Sequence, residues 1–162
     1  MRDEEFSKRQ AHDLRMQGYD RQQRGELADA IILYKRSIDL FPTAEAYTLL
    51  GWVYSQIDLY EEAEAMCKKA IEIDPGLGNA YNDLGAYLME QNRWEEAIPW
   101  LEEATTAPRY DSPEFAYTNL GRVYEQLGDY YLALNYYNRA LALSPRYLPA
   151  EWARNELLCK LN

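Results

Sequence analysis

Three ladders of residues recur along this chain in step, and they limit its fold more than any other feature. Gly18, Gly51, Gly85 and Gly121 are spaced by 33, 34 and 36 residues. Ala30, Ala63, Ala97 and Ala133 repeat the same three intervals, and Pro42, Pro75, Pro108 and Pro145 follow nearly the same rhythm. A period of this length is the mark of a stacked-repeat architecture, in which one small supersecondary unit is copied and each copy packs on the next.

Within each copy the apolar residues fall at i, i+3, i+4 and i+7, the stripe of an amphipathic helix. Each copy is interrupted midway by a polar or glycine-containing stretch: Gln23-Arg24-Gly25-Glu26, Ile57-Asp58, Gln91-Asn92-Arg93 and Leu127-Gly128-Asp129. Each copy therefore reads as two short antiparallel helices, A and B. A glycine inside helix A costs about 1 kcal/mol relative to alanine, so its recurrence calls for a packing reason. The expected reason is close approach of helix B at the small residues Ala30, Ala63, Ala97 and Ala133. The prolines end each B helix, since proline cannot continue one and biases its predecessor away from the helical region.

The residues around each glycine carry a resemblance. The second copy reads Tyr47-x-x-Leu50-Gly51-x-x-Tyr54, then Ala63, Cys67, Ala70 and Pro75. The third has Tyr81, Leu84-Gly85, Leu88, Trp94, Ala97, Leu101 and Ala104. The fourth has Tyr117, Leu120-Gly121, Tyr124, Tyr130, Ala133, Tyr137, Ala140 and Pro145. The first is looser, with Leu14, Gly18, Leu27, Ala30, Tyr34, Ser37 and Pro42. This resembles the tetratricopeptide-repeat family over roughly residues 11–147. The resemblance implies an all-α fold, a right-handed superhelical solenoid of four helix hairpins with A helices lining a concave face. The expected organisation is a single domain over 1–162, with repeats at about 11–43, 44–77, 78–113 and 114–147. A capping helix follows at about 148–161, with Trp152, Leu157, Leu158 and Leu161 covering the open end. Residues 104–121 also look like a segment of type IV pilus pilotin-type repeat proteins, a bacterial-type class.

Pro99 falls inside helix B of the third copy and is expected to bend it or loosen its first turn. The link from Thr105 to Pro113 is about two residues longer than its counterparts. It reads either as a tolerated surface insertion or as a spacer that opens the angle between copies three and four.

The resemblance also implies where binding occurs. Mapped onto this chain, the groove positions are Arg15, Tyr19 and Gln22 in the first copy and Thr48, Trp52, Ser55 and Gln56 in the second. The third supplies Asn79, Asn82, Asp83, Ala86 and Met89, and the fourth Thr118, Asn119, Arg122 and Gln126. Amides suit an extended peptide, because Asn and Gln both donate to and accept from bare backbone. Trp52 reads either as a binding anchor, as interface tryptophans often are, or as lateral packing against the A helix of a neighbouring copy. The carboxylate clamp of some family members is not reproduced, and Asp83 would repel a carboxylate. The implied function is a non-enzymatic scaffold for a protein or peptide ligand. The alternative is self-association or assembly of an envelope or pilus machine, with the terminal helix and Trp152 mediating weak homo-oligomers.

Charge and composition narrow the rest. The net charge of −10 resides in residues 44–162, which hold nineteen acidic and nine basic residues; residues 1–43 balance at eight of each. Such a surface is poorly suited to nucleic acid, whose binding rests on neutralising phosphates, and to anionic membranes. His12 stands alone, with no partner for a metal site or a nucleophilic triad. Gly76-Leu77-Gly78 lacks the strand context of a phosphate loop. No catalytic residue, cofactor or metal is expected. Cys67 and Cys159 show no disulfide framework, and no signal-peptide core or membrane-length apolar run appears. A cytoplasmic protein is the expectation.

Overall fold

The computed structural model describes residues 2–161 and contains, among these, nine α-helices and no named strand. They are α1 (Arg2–Gln23), α2 (Leu27–Leu40), α3 (Ala44–Gln56), α4 (Tyr60–Ile73), α5 (Gly78–Glu90), α6 (Trp94–Thr106), α7 (Pro113–Gln126), α8 (Tyr130–Leu143) and α9 (Leu148–Leu161). The chain divides into two compact units, Met1–Pro75 and Gly76–Asn162. The first holds the hairpins α1–α2 and α3–α4. The second holds α5–α6 and α7–α8 with α9.

Every A helix stops by the same device. Gly25, Asp58, Asn92 and Gly128 occupy the left-handed region, with φ of 76°, 60°, 59° and 84°. The next residue's N–H then reaches back five positions: Glu26 to the Arg21 carbonyl at 3.0 Å, Leu59 to Tyr54 at 3.0 Å, Arg93 to Leu88 at 2.9 Å and Asp129 to Tyr124 at 2.9 Å. This is the Schellman closure, which satisfies carbonyls that the helix end leaves open. Glycine takes that conformation freely, and Asp and Asn tolerate it better than other residues. The B helices end two residues before Pro42, Pro75, Pro108 and Pro145.

Three of the four helix glycines are required by contact with a large side chain of helix B rather than with the alanines. A Cβ on Gly18 would lie 2.7 Å from the Tyr34 ring, and one on Gly85 would lie 2.5 Å from Leu101. A Cβ on Gly121 would strike the Tyr137 ring. The partner is thus the large residue four positions after the alanine, one turn further along helix B. Gly51 differs: its neighbours are the Ala63 carbonyl oxygen at 3.1 Å and Met66 Cβ at 3.3 Å. Ala30, Ala63, Ala97 and Ala133 are fully buried. In the first unit Ala30, Tyr34, Leu50 and Val53 form a core cluster, with Ile31, Ile38 and Tyr54 packed on it. In the second, Ala133, Tyr137 and Leu157 do so, with Tyr124 and Leu134 alongside.

Four local features depart from the expectations or refine them. Helix α1 starts at Arg2, well before the first repeat. An acidic first turn complements the helix dipole there, and the i,i+4 pair Glu4–Lys8 at 2.7 Å supports it. Helix α6 runs through Pro99, which is solvent-exposed. The long 107–112 link is pinned: Gly78 N–H donates to the Arg109 carbonyl at 3.1 Å and Arg109 N–H to the Gly76 carbonyl at 3.0 Å. Tyr110 fills the space where Gly78 lacks a side chain. Helix α9 does cap its unit, but through Ala150 and Leu157, both fully buried. Trp152, Leu158 and Leu161 stay exposed.

Candidate protein-binding face

The polar residues expected on the A helices divide into those already committed within the fold and those still open. In the first unit most are committed. Gln22 is buried; it accepts a hydrogen bond from the Tyr34 hydroxyl at 2.8 Å and donates through Nε2 to Gln56 Oε1 at 2.7 Å. Burial raises the Tyr34 hydroxyl pKa above its ordinary value. Thr48 is buried and donates to the Ala44 carbonyl at 2.8 Å, while the Ser55 hydroxyl donates to the Trp52 carbonyl at 2.8 Å. Arg15 lies 3.7 Å from a Glu45 oxygen, and its Nη2 donates to His12 Nδ1 at 3.1 Å.

Two aromatics remain open. Tyr19 is 40 % exposed and Trp52 38 %. They hold the same register, one residue after Gly18 and Gly51, on α1 and α3. An aromatic body with a polar handle gives large contact area at low entropic cost, which suits a binding surface.

In the second unit Asn119 Nδ2 donates to Asn82 Oδ1 at 3.1 Å, tying α7 to α5, and Asn82 is buried. Thr118 is buried and donates to the Glu114 carbonyl at 2.7 Å. Asp83 keeps some accessible surface but is densely enclosed by protein. Burial pushes its carboxyl up to about 7, opposed by a hydrogen bond from the Asn82 side chain. Asn79 is exposed and Ala86 half-buried. Met89, Arg122 and Gln126 come together in one cavity of about 330 Å³, with Glu90, Asn92 and Trp94 completing its wall.

Sequence reasoning missed Asn92 and Trp94, and it missed two loop tyrosines. Tyr147 packs on the half-open Phe115 with ring centroids 5.1 Å apart. Tyr110 is in turn close enough to Asp83, Glu114 and Tyr147 for their charges to raise its hydroxyl further, after burial as the main cause. A signal was available: Pro108-Arg109-Tyr110 and Pro145-Arg146-Tyr147 repeat the same tripeptide at the same point of consecutive copies.

No group of three or more His, Cys, Asp and Glu that could hold a metal occurs among the described residues. No described helix is long and apolar enough to cross a membrane.

Antiparallel helix hairpins with a repeated glycine contact and a shared A-helix terminus define a helical-repeat protein of the kind that presents a surface to other proteins. The chain belongs to the tetratricopeptide-repeat family: family models of that repeat match residues 44–77 and 76–146. Among curated relatives, anaphase-promoting complex subunit 3 of Schizosaccharomyces pombe is 30% identical over 138 residues, covering 85% of this chain and 20% of that protein. The type IV pilus assembly protein PilF of Pseudomonas aeruginosa is 28% identical, over 75% of this chain and 49% of its own length. The Giardia intestinalis UDP-N-acetylglucosamine–peptide N-acetylglucosaminyltransferase is 33% identical over 76% of this chain but only 9% of the transferase. This chain therefore spans half or less of each of these relatives. Among solved structures, Pseudomonas aeruginosa pilF superposes with a TM-score of 0.89 at 25% identity, over 95% of this chain and 70% of that one. A MamA crystal structure gives a TM-score of 0.74 at 26% identity, over 86% and 81%.

Proposed function

We propose that this chain is a non-enzymatic scaffold that holds an extended protein segment against its A-helix face. Within the first unit Tyr19 and Trp52 would act as anchors; within the second, taken by itself, the Arg122 cavity would be a polar subsite. One observation carries the reading. Of the residues expected on the α1 and α3 faces, the polar ones are largely consumed by internal bonds, and two aromatics at matching register are left open. Such residues lose little on a monomer and gain much when a partner covers them.

Affinity capture from native extract, comparing the wild type with Trp52→Ala and Tyr19→Ala, tests it. The expected outcome is a protein retained by wild type and lost by both variants, whose circular dichroism spectra stay unchanged. Equal retention by all three would remove the A-helix face as the binding surface.

The likeness to PilF over nearly the whole chain favours a second reading, a part in assembling a pilus-like machine. A captured partner belonging to such a machine supports it; a partner from another assembly ends it.

A further inference from the structure

The cavity beside Arg122 holds opposite charges that do not meet. Arg122 comes from α7 and Glu90 from α5, and both line the same space. Among the described residues, no ion pair joins them, and the Arg122 guanidinium has only a long contact of 3.5 Å to Asn119 Oδ1. The side-chain amides of Asn92 and Gln126 line the cavity too, and neither has a hydrogen-bond partner among the described residues. Met89 and Trp94 supply apolar wall. At about 330 Å³ the space has room for an inserted side chain.

The guest can be deduced from what the wall lacks. A guanidinium only donates hydrogen bonds and a carboxylate only accepts them. An acidic guest would satisfy Arg122 but meet the like charge of Glu90. A basic guest would satisfy Glu90 and meet Arg122. A primary amide offers a carbonyl to Arg122 and an NH₂ to Glu90 at once, and its methylene stem can lie on Met89 and Trp94. Penalties on both kinds of charged guest are how a site becomes selective.

We propose that this cavity is a specificity subsite for a neutral amide side chain, Gln or Asn, of the bound segment. The proposal rests on the scaffold reading above, and it adds what the segment must carry.

The test is an NMR titration of the full ¹⁵N-labelled chain with three probe peptides, acetyl-Ala-Xaa-Ala-amide with Xaa Gln, Glu or Lys. The Trp94 indole N–H and Arg122 Nε–H resonances report on the cavity. The wild type should bind the Gln peptide roughly fivefold or more tightly than either charged one, since like-charge juxtaposition is costly. Glu90→Gln should make the Glu peptide the tightest, and Arg122→Gln the Lys peptide. The same order in all three proteins, or no movement of either resonance with any peptide, overturns the proposal. Trp52→Ala should leave these peptide preferences unchanged. Loss of the capture result with the peptide order intact would therefore strike the scaffold reading alone.

Discussion

A single missing Cβ does different work at equivalent positions. At Gly85 a methyl group would sit 2.5 Å from both Cγ and Cδ2 of Leu101, a side chain with no exposed surface into which to retreat. Gly85→Ala should therefore destabilise by about 1–3 kcal/mol, the usual range for overpacking a core. At Gly51 the nearest atoms are 3.1 and 3.3 Å away. There the roughly 1 kcal/mol gained by placing alanine in a helix offsets much of the crowding, so Gly51→Ala should change stability far less. Urea midpoints of the two variants check the order, and equal losses would mean that the glycines serve something other than contact with helix B. Asp83 supplies a test of another kind. Its carboxyl is held up to about 7 by burial, above its unfolded value. The folded state therefore binds the extra proton, and stability falls as pH rises from about 4 towards 7. Asp83→Asn removes the titrating group. It should flatten that dependence and gain roughly 1–2 kcal/mol at pH 8, a discounted share of what a shift of this size represents. Denaturation midpoints of both proteins at pH 5 and pH 8 decide it; parallel curves would mean that Asp83 is well solvated.

The helices were the most legible level of the sequence, and the loops the least. Helix starts and stops followed from the apolar period, the polar or glycine-containing breaks and the prolines, because each acts within a few residues of itself. The extension of α1 back to Arg2 was invisible to a repeat-based reading, since it rests on i,i+4 ion pairs and on Lys8 lying 4.9 Å from the Phe41 ring centroid, none of which belongs to the repeat pattern. The 107–112 link was equally opaque, because its meaning depends on a backbone pairing with Gly76 and Gly78 some thirty residues earlier. That pairing has a testable signature. Gly78→Ala should destabilise, because the added Cβ runs into Tyr110. Tyr110→Gly should also destabilise, by loss of packing. The double variant should cost less than the two single losses added together, since the atom nearest the new methyl at 78 is Tyr110 Cβ, which glycine at 110 removes; coupling energies between touching residues are typically about 0.5–3 kcal/mol. Strict additivity in a double-mutant cycle would mean that the link and the start of α5 move independently. The binding face was legible only in part. The family's positions located the A-helix residues, but nothing local showed that Gln22 is consumed by Tyr34 and Gln56, or that Glu125 is held by Tyr137 at 2.9 Å and Lys160 at 3.1 Å. Both networks span three helices, and no short window of sequence contains one.

Charge acts over the whole molecule. Residues 1–75 hold fifteen acidic and ten basic residues, and residues 76–162 hold twelve and seven, so each unit carries five excess negative charges. Self-repulsion of this kind favours solubility and works against the compact state. The exposed ion pairs work the other way: Glu4–Lys8 at 2.7 Å, Glu72–Lys69 at 2.8 Å and Glu156–Lys160 at 3.1 Å gain from low salt. Each such pair contributes only about 0–1 kcal/mol, whereas repulsion is summed over every acidic neighbour within a Debye length of about 10 Å at 0.1 M salt. Repulsion should win. Raising sodium chloride from about 0.01 M to 0.2 M, which shortens the screening length severalfold, should stabilise the protein. A gain of about 1 kcal/mol would appear as a Tm rise of roughly 2–4 °C for a chain of this size. A Tm that falls with salt would mean that the surface ion pairs act as a connected network whose worth exceeds the repulsion. The same screening should weaken capture of any partner whose contact surface is basic, while an uncharged partner held by Tyr19 and Trp52 should be captured equally well at both salt concentrations.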